Sequence, residues 1–287
     1  MTATMIGGDR LHLQHGPIDL IIKAEANNIK GMRKAYSIAK ERFESVLDEL
    51  VSELPFLKSP ITSSYNPPQG KIARRMYDSV WQYSQKVFVT PMAAVAGAVA
   101  DEILTCMVNG TTLRRVYVNN GGDISIYLGK GEKYTLDINQ LNNTKLGQIE
   151  LFEGGGIGGV ATSGKDGRSL SMGIADSVTV LAVNASDADV GATLIANHVD
   201  IPGHHGITRK PADEIVDDSD LGDLEVVISC VDLVSKDVEL ALDRGHHFAV
   251  ELLNEGKIIS AAMFLQSSAR IVGKPLNQLT SQTNLVE

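Results

Sequence analysis

Cysteine, aromatic residues and basic charge are all scarce in this sequence, and each shortage argues against a class of protein. Two cysteines in 287 residues, Cys106 and Cys230, cannot build a disulfide scaffold or a cysteine-based zinc site. A net charge of −9 with 5% aromatic residues is unlike the basic surfaces that bind nucleic acid. We therefore expect no nucleic-acid partner.

Long uninterrupted apolar runs are also missing. The best candidate, residues 92–108, is interrupted by Gly97, Asp101 and Glu102, and the first sixteen residues lack the apolar core of a signal peptide. The remaining composition, with 43% hydrophobic residues, is that of an ordinary globular protein. These features predict a cytoplasmic protein without a membrane span.

Helical and strand periodicities alternate irregularly along the chain and predict an α+β fold with mixed or antiparallel sheets and packed helices. Apolar steps of three and four residues predict a helix from Ile29 to Leu54, capped by Asn27 or Asn28 and ended by Pro55. Further helices are predicted over 71–86, 88–110, 186–198 and 236–254, the last two capped by Ser186 and Ser235. Residues 10–24 are predicted to form two short strands with a turn at His15-Gly16-Pro17, and further strands are predicted over 114–119, 123–128, 133–138, 146–152, 177–183, 225–233 and 258–266.

The stretch GGGIGGVATSG contains a G-x-G-x-x-G pattern at Gly154, Gly156 and Gly159. A dinucleotide-binding turn of this kind must open a helix, but the β-branched residues and glycines of 160–167 favour a strand edge and a loop. Two interpretations stay open. The glycines either connect strands, or they bring backbone N–H groups close to a phosphate, with help from side chains such as Lys165.

Asp189 and Thr193 are four residues apart in a predicted helix, so a carboxylate and a hydroxyl share one face. Such hard oxygen ligands suit Mg²⁺, which completes its octahedron with phosphate oxygens and water. The alternative is that Asp187 and Asp189 only complement the positive end of the helix dipole.

His204, His205 and Arg209 follow this helix in a long polar segment and are candidates for contacts to an anionic substrate. The alternative is a solvated loop. Cys106 and Cys230 lie in apolar patterns, which favours core positions over the accessible thiolate of a persulfide carrier.

Several motifs in a fixed order resemble the ApbE superfamily, whose characterised members are magnesium-dependent FAD:protein FMN transferases. They are AGAVADEIL (96–104), VNNGGDI (118–124), VATSG (160–164) and SVTVLAV (177–183) followed by ADVGAT (188–193). HHGITRKPADEIVDDSDLGD and the strand–helix–strand after it are similar to a cytoplasmic ApbE-related subfamily of anaerobic bacteria and archaea whose activity is not established. The resemblance implies one domain over 1–287, with an ApbE-like core (10–200), a subfamily-specific part (201–266) and a polar tail (267–287).

The resemblance also implies site residues. Asp189 and Thr193 match the family's magnesium ligands. The residues matching those beside the flavin nucleotide are Gly121, Gly122, Asp123, Thr162, Ser163 and Gly164. Two departures stand out: Ala96 replaces the family's lysine, and KDGRSLSMGIAD (165–176) replaces its H-x-x-D-P-x-T-G segment. Asp176 and Ser169 could take over as catalytic groups, or simply hydrogen-bond their own loop.

The expected activity is therefore binding of a nucleotide diphosphate such as FAD with Mg²⁺, and transfer of a flavin or phosphoryl-type group. One alternative is a non-catalytic flavin- or nucleotide-binding partner of another protein in sulfur or redox metabolism. The subfamily's association with anaerobic sulfur assimilation toward homocysteine points the same way. A structural subunit with a vestigial pocket is the other alternative.

Overall fold

A computed structural model describes residues 1–61, 64–139, 145–273 and 284–285, and it confirms the α+β class. The helices are α1 (Ile29–Ser52), α2 (Leu54–Leu57), α3 (Lys71–Trp81), α4 (Val95–Gly110), α5 (Ala185–His198) and α6 (Ser235–Asn254). The strands are β1 (Thr2–Ile6), β2 (Arg10–His15), β3 (Ile18–Glu25), β4 (Arg115–Asn120), β5 (Asp123–Leu128), β6 (Lys133–Asn139), β7 (Lys145–Phe152), β8 (Gly159–Ser163), β9 (Ser177–Ala182), β10 (Ile207–Pro211), β11 (Glu225–Cys230), β12 (Ser260–Leu265), β13 (Ser268–Val272) and β14 (Asn284–Leu285).

The described residues form two compact units. The first comprises Met1–Tyr134, Leu151–Ala161 and Ala182–Val190, and the second comprises Thr135–Glu150, Thr162–Leu181 and Gly191–Glu287. The single domain expected from the sequence stays a prediction.

In the first unit, strands β1 to β5 pair antiparallel in chain order, and Val160 of β8 pairs with Ile124 of β5. Side chains of β3 alternate between buried and half-buried, as expected for a strand with one face on the core. Helix α1 packs on β3, and α4 packs against α1, α3, β4 and β5. Helix α4 is therefore the central helix of this unit.

The start of α1 is fixed by Asn28, whose side-chain oxygen accepts a hydrogen bond from the backbone N–H of Gly31 at 2.9 Å. This confirms one of the two predicted caps. The prediction that Pro55 ends the helix is wrong, because α1 ends at Ser52. Pro55 instead lies in the first turn of α2, where its missing N–H costs no hydrogen bond.

The segment Pro91–Gly110 is long and apolar enough to cross a membrane by length and composition alone. In the structure, 56% of its apolar stretch is buried inside the protein. A short 3₁₀ helix (Pro91–Ala94) leads into α4, which carries the buried carboxylates of Asp101 and Glu102. Such burial is typical of a helix in the core of a protein.

In the second unit, β12 pairs antiparallel with both β9 and β13, and α6 packs on β12 and β13. All residues of β9 and β12 are buried, as their apolar runs predict. β14 pairs parallel with β13, β10 and β11 form a separate hairpin, and β6 pairs with β7.

Two predictions fail in the second unit. The polar tail expected from residue 267 contains β13, because Ala269 and Val272 are buried beside β12. Residues 274–283 of that tail lie outside the described part of the chain. Ser235 does not cap α6, since the cap position is Val234, which has no polar side chain.

His198 predicts a pH dependence of stability. Its half-buried ring stacks on Phe248 with centroids 3.7 Å apart, and Nδ1 lies 2.7 Å from the carbonyl oxygen of Leu194. Burial lowers the pKa of His198, and the positive charge of Arg244 lowers it further. Neutral imidazole is thus favoured in the folded state. This contribution is present above the unfolded-state pKa of about 6.5 and is lost as the pH falls through the folded-state value.

We expect the melting temperature of the wild type to fall more between about pH 7.5 and pH 5 than that of His198→Gln, whose side chain does not titrate. Thermal unfolding at each pH measures this difference. Parallel curves for the two proteins would show that His198 does not contribute.

Candidate functional site

Asp101 of α4 anchors the start of α5. Its side chain is buried, and its carboxylate accepts hydrogen bonds from the N–H groups of Ala185 and Ser186 at 3.0 and 2.9 Å. The hydroxyls of Ser186 and Ser125 donate to it at 2.7 and 2.5 Å. The first N–H groups of a helix have no partner within the helix, and a carboxylate there also complements the helix dipole. Asp101 thus fixes where α5 begins.

The cap predicted at Ser186 is wrong. Asn184 precedes α5, and its side-chain oxygen accepts a hydrogen bond from the N–H of Asp187 at 2.7 Å. The Ser186 hydroxyl is engaged by Asp101 instead. Asparagine and serine are equally good caps. The sequence alone therefore does not show that the cap lies at Asn184, two residues before Ser186.

Asp189 of α5 in turn binds the start of α4. One of its carboxylate oxygens accepts a hydrogen bond from the N–H of Gly97, in the first turn of α4, at 3.0 Å. The cap residue of α4 is Ala94, which has no polar side chain. Each helix therefore receives at its N-terminus a carboxylate carried by the other.

Three glycines make this arrangement possible. A Cβ on Gly97 would stand 2.2 Å from the carbonyl oxygen of Ala185, and one on Gly159 would stand 2.1 Å from the carbonyl carbon of Asn184. A Cβ on Gly158 would stand 2.4 Å from the carbonyl oxygen of Val183. The backbone of residues 183–185 therefore lies close to the backbones of all three glycines.

The G-x-G-x-x-G pattern is explained by the same packing. Gly154 and Gly156 have φ of 75° and 77°, which glycine adopts without strain, and Gly159 allows the close approach to Asn184. Strand β8 follows the pattern, so the predicted strand is confirmed and no dinucleotide-binding helix begins here.

Asp123 lies near Asp189. It follows a hairpin turn in which Gly121 and Gly122 have φ of 66° and 122°, and Asn119 accepts the Gly122 N–H at 2.9 Å. Burial raises the pKa of Asp189 well above its usual range, and the Asp123 carboxylate raises it further, although the N–H of Gly97 acts in the opposite sense. A cation beside these two carboxylates would relieve that repulsion.

The donor set suits a hard cation that keeps water or phosphate ligands. Thr193 lies one helical turn after Asp189 on α5. Among the described residues, no group of three or more His, Cys, Asp or Glu side chains converges on one point. The two carboxylates, Asp123 and Asp189, fit Mg²⁺, which takes only one or two protein carboxylates beside a phosphate ligand.

The candidate residues of the second unit have structural partners of their own. The hydroxyl oxygens of Thr162 and Thr179 are 3.0 Å apart, and Ser163 is half-buried at the end of β8. A Cβ on Gly164 would stand 2.4 Å from the carbonyl oxygen of Asp176, so packing requires glycine there. Their role beside a flavin nucleotide stays a prediction.

Asp176, a candidate catalytic group, is held on both oxygens. One lies 2.9 Å from the ammonium of Lys165, and the other accepts the backbone N–H of Gln266. Lys165 also contacts Asp166 at 2.6 Å. Burial alone would lower the pKa of Lys165, but the two carboxylates outweigh it and the pKa is raised. Ser169 is exposed. Asp176 is thus held as an ion-pair partner.

Arg209 lies in β10 and not in a loop as predicted. Its guanidinium donates to the carbonyl oxygen of Met172 and forms an ion pair with Asp200. His204 accepts the N–H of Gly206 at Nδ1 and approaches Asp237 through Nε2, at 3.1 Å in each case. His205 is exposed and its ring stacks on that of His204, with centroids 4.6 Å apart. Substrate contacts by these residues stay a prediction.

Both cysteines are half-buried and not in the core as predicted. Burial raises the pKa of each thiol. A neutral thiol is a poor nucleophile, which agrees with the inference that neither cysteine carries a persulfide.

A sequence profile of the protein family described as AbpE bacteria matches residues 2–274. The chain belongs to this ApbE-like family. The resemblance inferred from the motifs is therefore confirmed, and it extends over the subfamily-specific part that follows residue 200.

Relatives of this ApbE-like chain include UPF0280 proteins of methanogenic archaea. The protein of Methanopyrus kandleri is 34% identical over 184 residues, which are 62% of this chain and 69% of the relative. The protein of Methanothermobacter thermautotrophicus is 40% identical over 121 residues, which are 42% of this chain and 46% of the relative. The chain thus spans about half the length of the second relative.

Among solved structures, the apo form of the flavinyl transferase ApbE of Pseudomonas stutzeri shares the fold. The match covers 97% of this ApbE-like chain and 96% of the transferase, with 12% sequence identity and a TM-score of 0.50. At that identity the likeness establishes the fold alone.

Proposed function

We propose that this ApbE-like chain binds a nucleotide diphosphate of the FAD type together with Mg²⁺ and transfers a flavin or phosphoryl-type group. The observation that carries the proposal is the pair of neighbouring carboxylates, Asp123 and Asp189, with the pKa of Asp189 raised by burial and by Asp123. Membership of the family and the fold shared with a flavinyl transferase support it.

In this proposal Asp189 and Thr193 hold the metal, and the Gly97 N–H orients the Asp189 carboxylate. Bound Mg²⁺ would neutralise the charge of the diphosphate and of its leaving phosphate. Gly121 and Gly122 leave the hairpin turn without side chains, which lets a ligand approach the backbone beside Asp123. Cys106 and Cys230 are free thiols, which suits the proposed cytoplasmic location.

A second candidate function is non-catalytic binding of a flavin or nucleotide beside a protein partner, in the sulfur or redox metabolism that the motifs suggest. The ion pair of Asp176 with Lys165 favours it, since both oxygens of this carboxylate are engaged. The family's lysine is absent at Ala96. A chain without an available base could bind the ligand and leave it intact.

The first test is thermal unfolding of the purified protein with FAD, FMN, ATP or ADP, each with and without Mg²⁺. A ligand at a hundred times its Kd stabilises the folded state by about 2.7 kcal/mol. We expect such a shift with FAD and Mg²⁺ together, and we expect Asp189→Asn to abolish it. Asparagine keeps one oxygen that can accept the Gly97 N–H, while the negative charge and the second acceptor oxygen are lost.

The matched control is Asp187→Asn, two residues earlier on α5, where the carboxylate accepts from the Asn184 amide at 2.8 Å. This variant should keep the magnesium-dependent shift. Release of AMP from FAD then separates the two functions, because transfer consumes the ligand and simple binding returns it intact. If no nucleotide raises the melting temperature, transfer and simple binding are both ruled out, and a structural subunit remains.

A further inference from the structure

A polar cleft, separate from the candidate site at Asp123 and Asp189, lies in the first unit between α3, α4 and the start of α5. Its volume is about 740 Å³, enough for a small molecule. Lys71 and Arg75 of α3 line it, together with Ser79, Thr105 and Asn109. Among the described residues that line it, none is aliphatic or aromatic. The cleft therefore suits a hydrophilic ligand.

Arg75 is short of acceptors in this cleft. Its Nε is buried and makes no hydrogen bond within the described part of the protein. Its closest carboxylate, that of Glu102, is 3.9 Å from Nη2. Glu102 forms its close ion pair with a different residue, Arg42, at 2.8 Å. Because the Nε is closed off from solvent, a ligand in the cleft would meet Arg75 through its Nη groups.

The other carboxylates of the cleft are also engaged. Asp78 accepts the hydroxyl of Tyr65 at 2.7 Å and lies 3.7 Å from Arg74. Asp187 accepts the side-chain amide of Asn184 at 2.8 Å. Arg75 thus keeps only the 3.9 Å contact with Glu102, which Arg42 engages more closely, and Lys71 forms no ion pair among the described residues.

We propose that this cleft binds the phosphate group of a small, hydrophilic phosphorylated molecule between Lys71 and Arg75. The Arg75 guanidinium can offer its two Nη groups side by side, a geometry that matches two oxygens of an oxyanion. Lys71, one helical turn earlier, supplies the second positive charge for a doubly charged phosphate. Asn109 also lines the cleft and could bond a further oxygen or a hydroxyl of the ligand, whereas the Thr105 hydroxyl already donates to the carbonyl oxygen of Asp101 at 2.6 Å.

The test uses the full chain and the intrinsic fluorescence of Trp81, the only tryptophan. Trp81 ends α3 and stacks on Tyr77, so a ligand on α3 should change its emission. Inorganic phosphate and glycerol phosphate are titrated, with sodium chloride and acetate at equal ionic strength as controls. Isothermal titration calorimetry gives the Kd independently.

We expect saturable binding of both phosphates, weakened roughly tenfold or more in Arg75→Gln and in Lys71→Gln. Lys34→Gln is the control, because Lys34 is exposed on α1 and does not line the cleft, and it should change the Kd by no more than about threefold. Asp189→Asn should bind phosphate like the wild type, which separates this site from the proposed nucleotide site.

Lys71 is exposed, so Lys71→Gln keeps the fold even if Arg75→Gln does not. Circular dichroism checks both variants. The proposal is overturned if phosphate does not saturate, if acetate binds as well as phosphate, or if Lys71→Gln binds phosphate as tightly as the wild type.

Discussion

Replacing Asp101 with alanine is expected to lower the free energy of unfolding by about 3–5 kcal/mol, the range for removing one partner of a buried charged network. The change leaves the N–H groups of Ala185 and Ser186 and the hydroxyls of Ser125 and Ser186 without their acceptor. Each buried unsatisfied donor costs about 1–3 kcal/mol before the structure relaxes. Urea unfolding measures this loss of free energy, provided that the slope of the unfolding free energy against urea concentration is the same in the variant and the wild type.

Two controls accompany this variant. Asp101→Asn keeps one oxygen acceptor and should lose less. Asp48 is exposed on α1, and Asp48→Ala should change the free energy of unfolding by no more than about 0.5 kcal/mol. A loss below about 1 kcal/mol in Asp101→Ala would contradict the anchoring role of this carboxylate.

Replacing Gly97 with alanine is the second large effect. Alanine favours a helix over glycine by about 1 kcal/mol, so propensity alone would stabilise the protein. The new Cβ would stand 2.2 Å from the Ala185 oxygen and 2.7 Å from the Ser186 nitrogen, both backbone atoms that no side-chain rotation can move. We expect the clash to win and to lower the free energy of unfolding by about 1–3 kcal/mol.

Gly110→Ala is the matched control at the other end of α4. There the new Cβ would meet the tip of the Ile38 side chain at 2.4 Å, a flexible group that can turn away. This variant should be clearly less destabilised than Gly97→Ala. Equal losses of unfolding free energy in Gly97→Ala and Gly110→Ala would show that the close approach of α5 does not cause the destabilisation. Chemical denaturation of both variants makes the comparison.

The fold could be predicted from the sequence where a pattern is local. The alternation of β3 and the apolar steps of α1 identify those elements because burial of one face produces the pattern directly. Strand β13 was missed because SARIV is short and gains its burial from pairing with β12, a contact that no local pattern contains.

The candidate site shows the same limit. Asp189 could be singled out from the spacing of its motif, and Asp101 lies within the AGAVADEIL motif. Their hydrogen bonds join residues more than eighty positions apart, so the sequence alone could not assign either carboxylate to a helix start. The spacing of Lys71, Arg74 and Arg75 was a usable signal for the cationic face of α3, because positions three and four apart in a helix are neighbours.

The exchange of carboxylates between α4 and α5 has a consequence for the order of folding. Asp101 and Ala185 are 84 residues apart, and Gly97 and Asp189 are 92 apart. Closing loops of this length costs entropy before any contact repays it. Neither helix start can be completed by its own neighbours during synthesis. Helix α4 leaves the ribosome with its first N–H groups bonded only to water, and it is finished when the segment carrying Asp189 arrives.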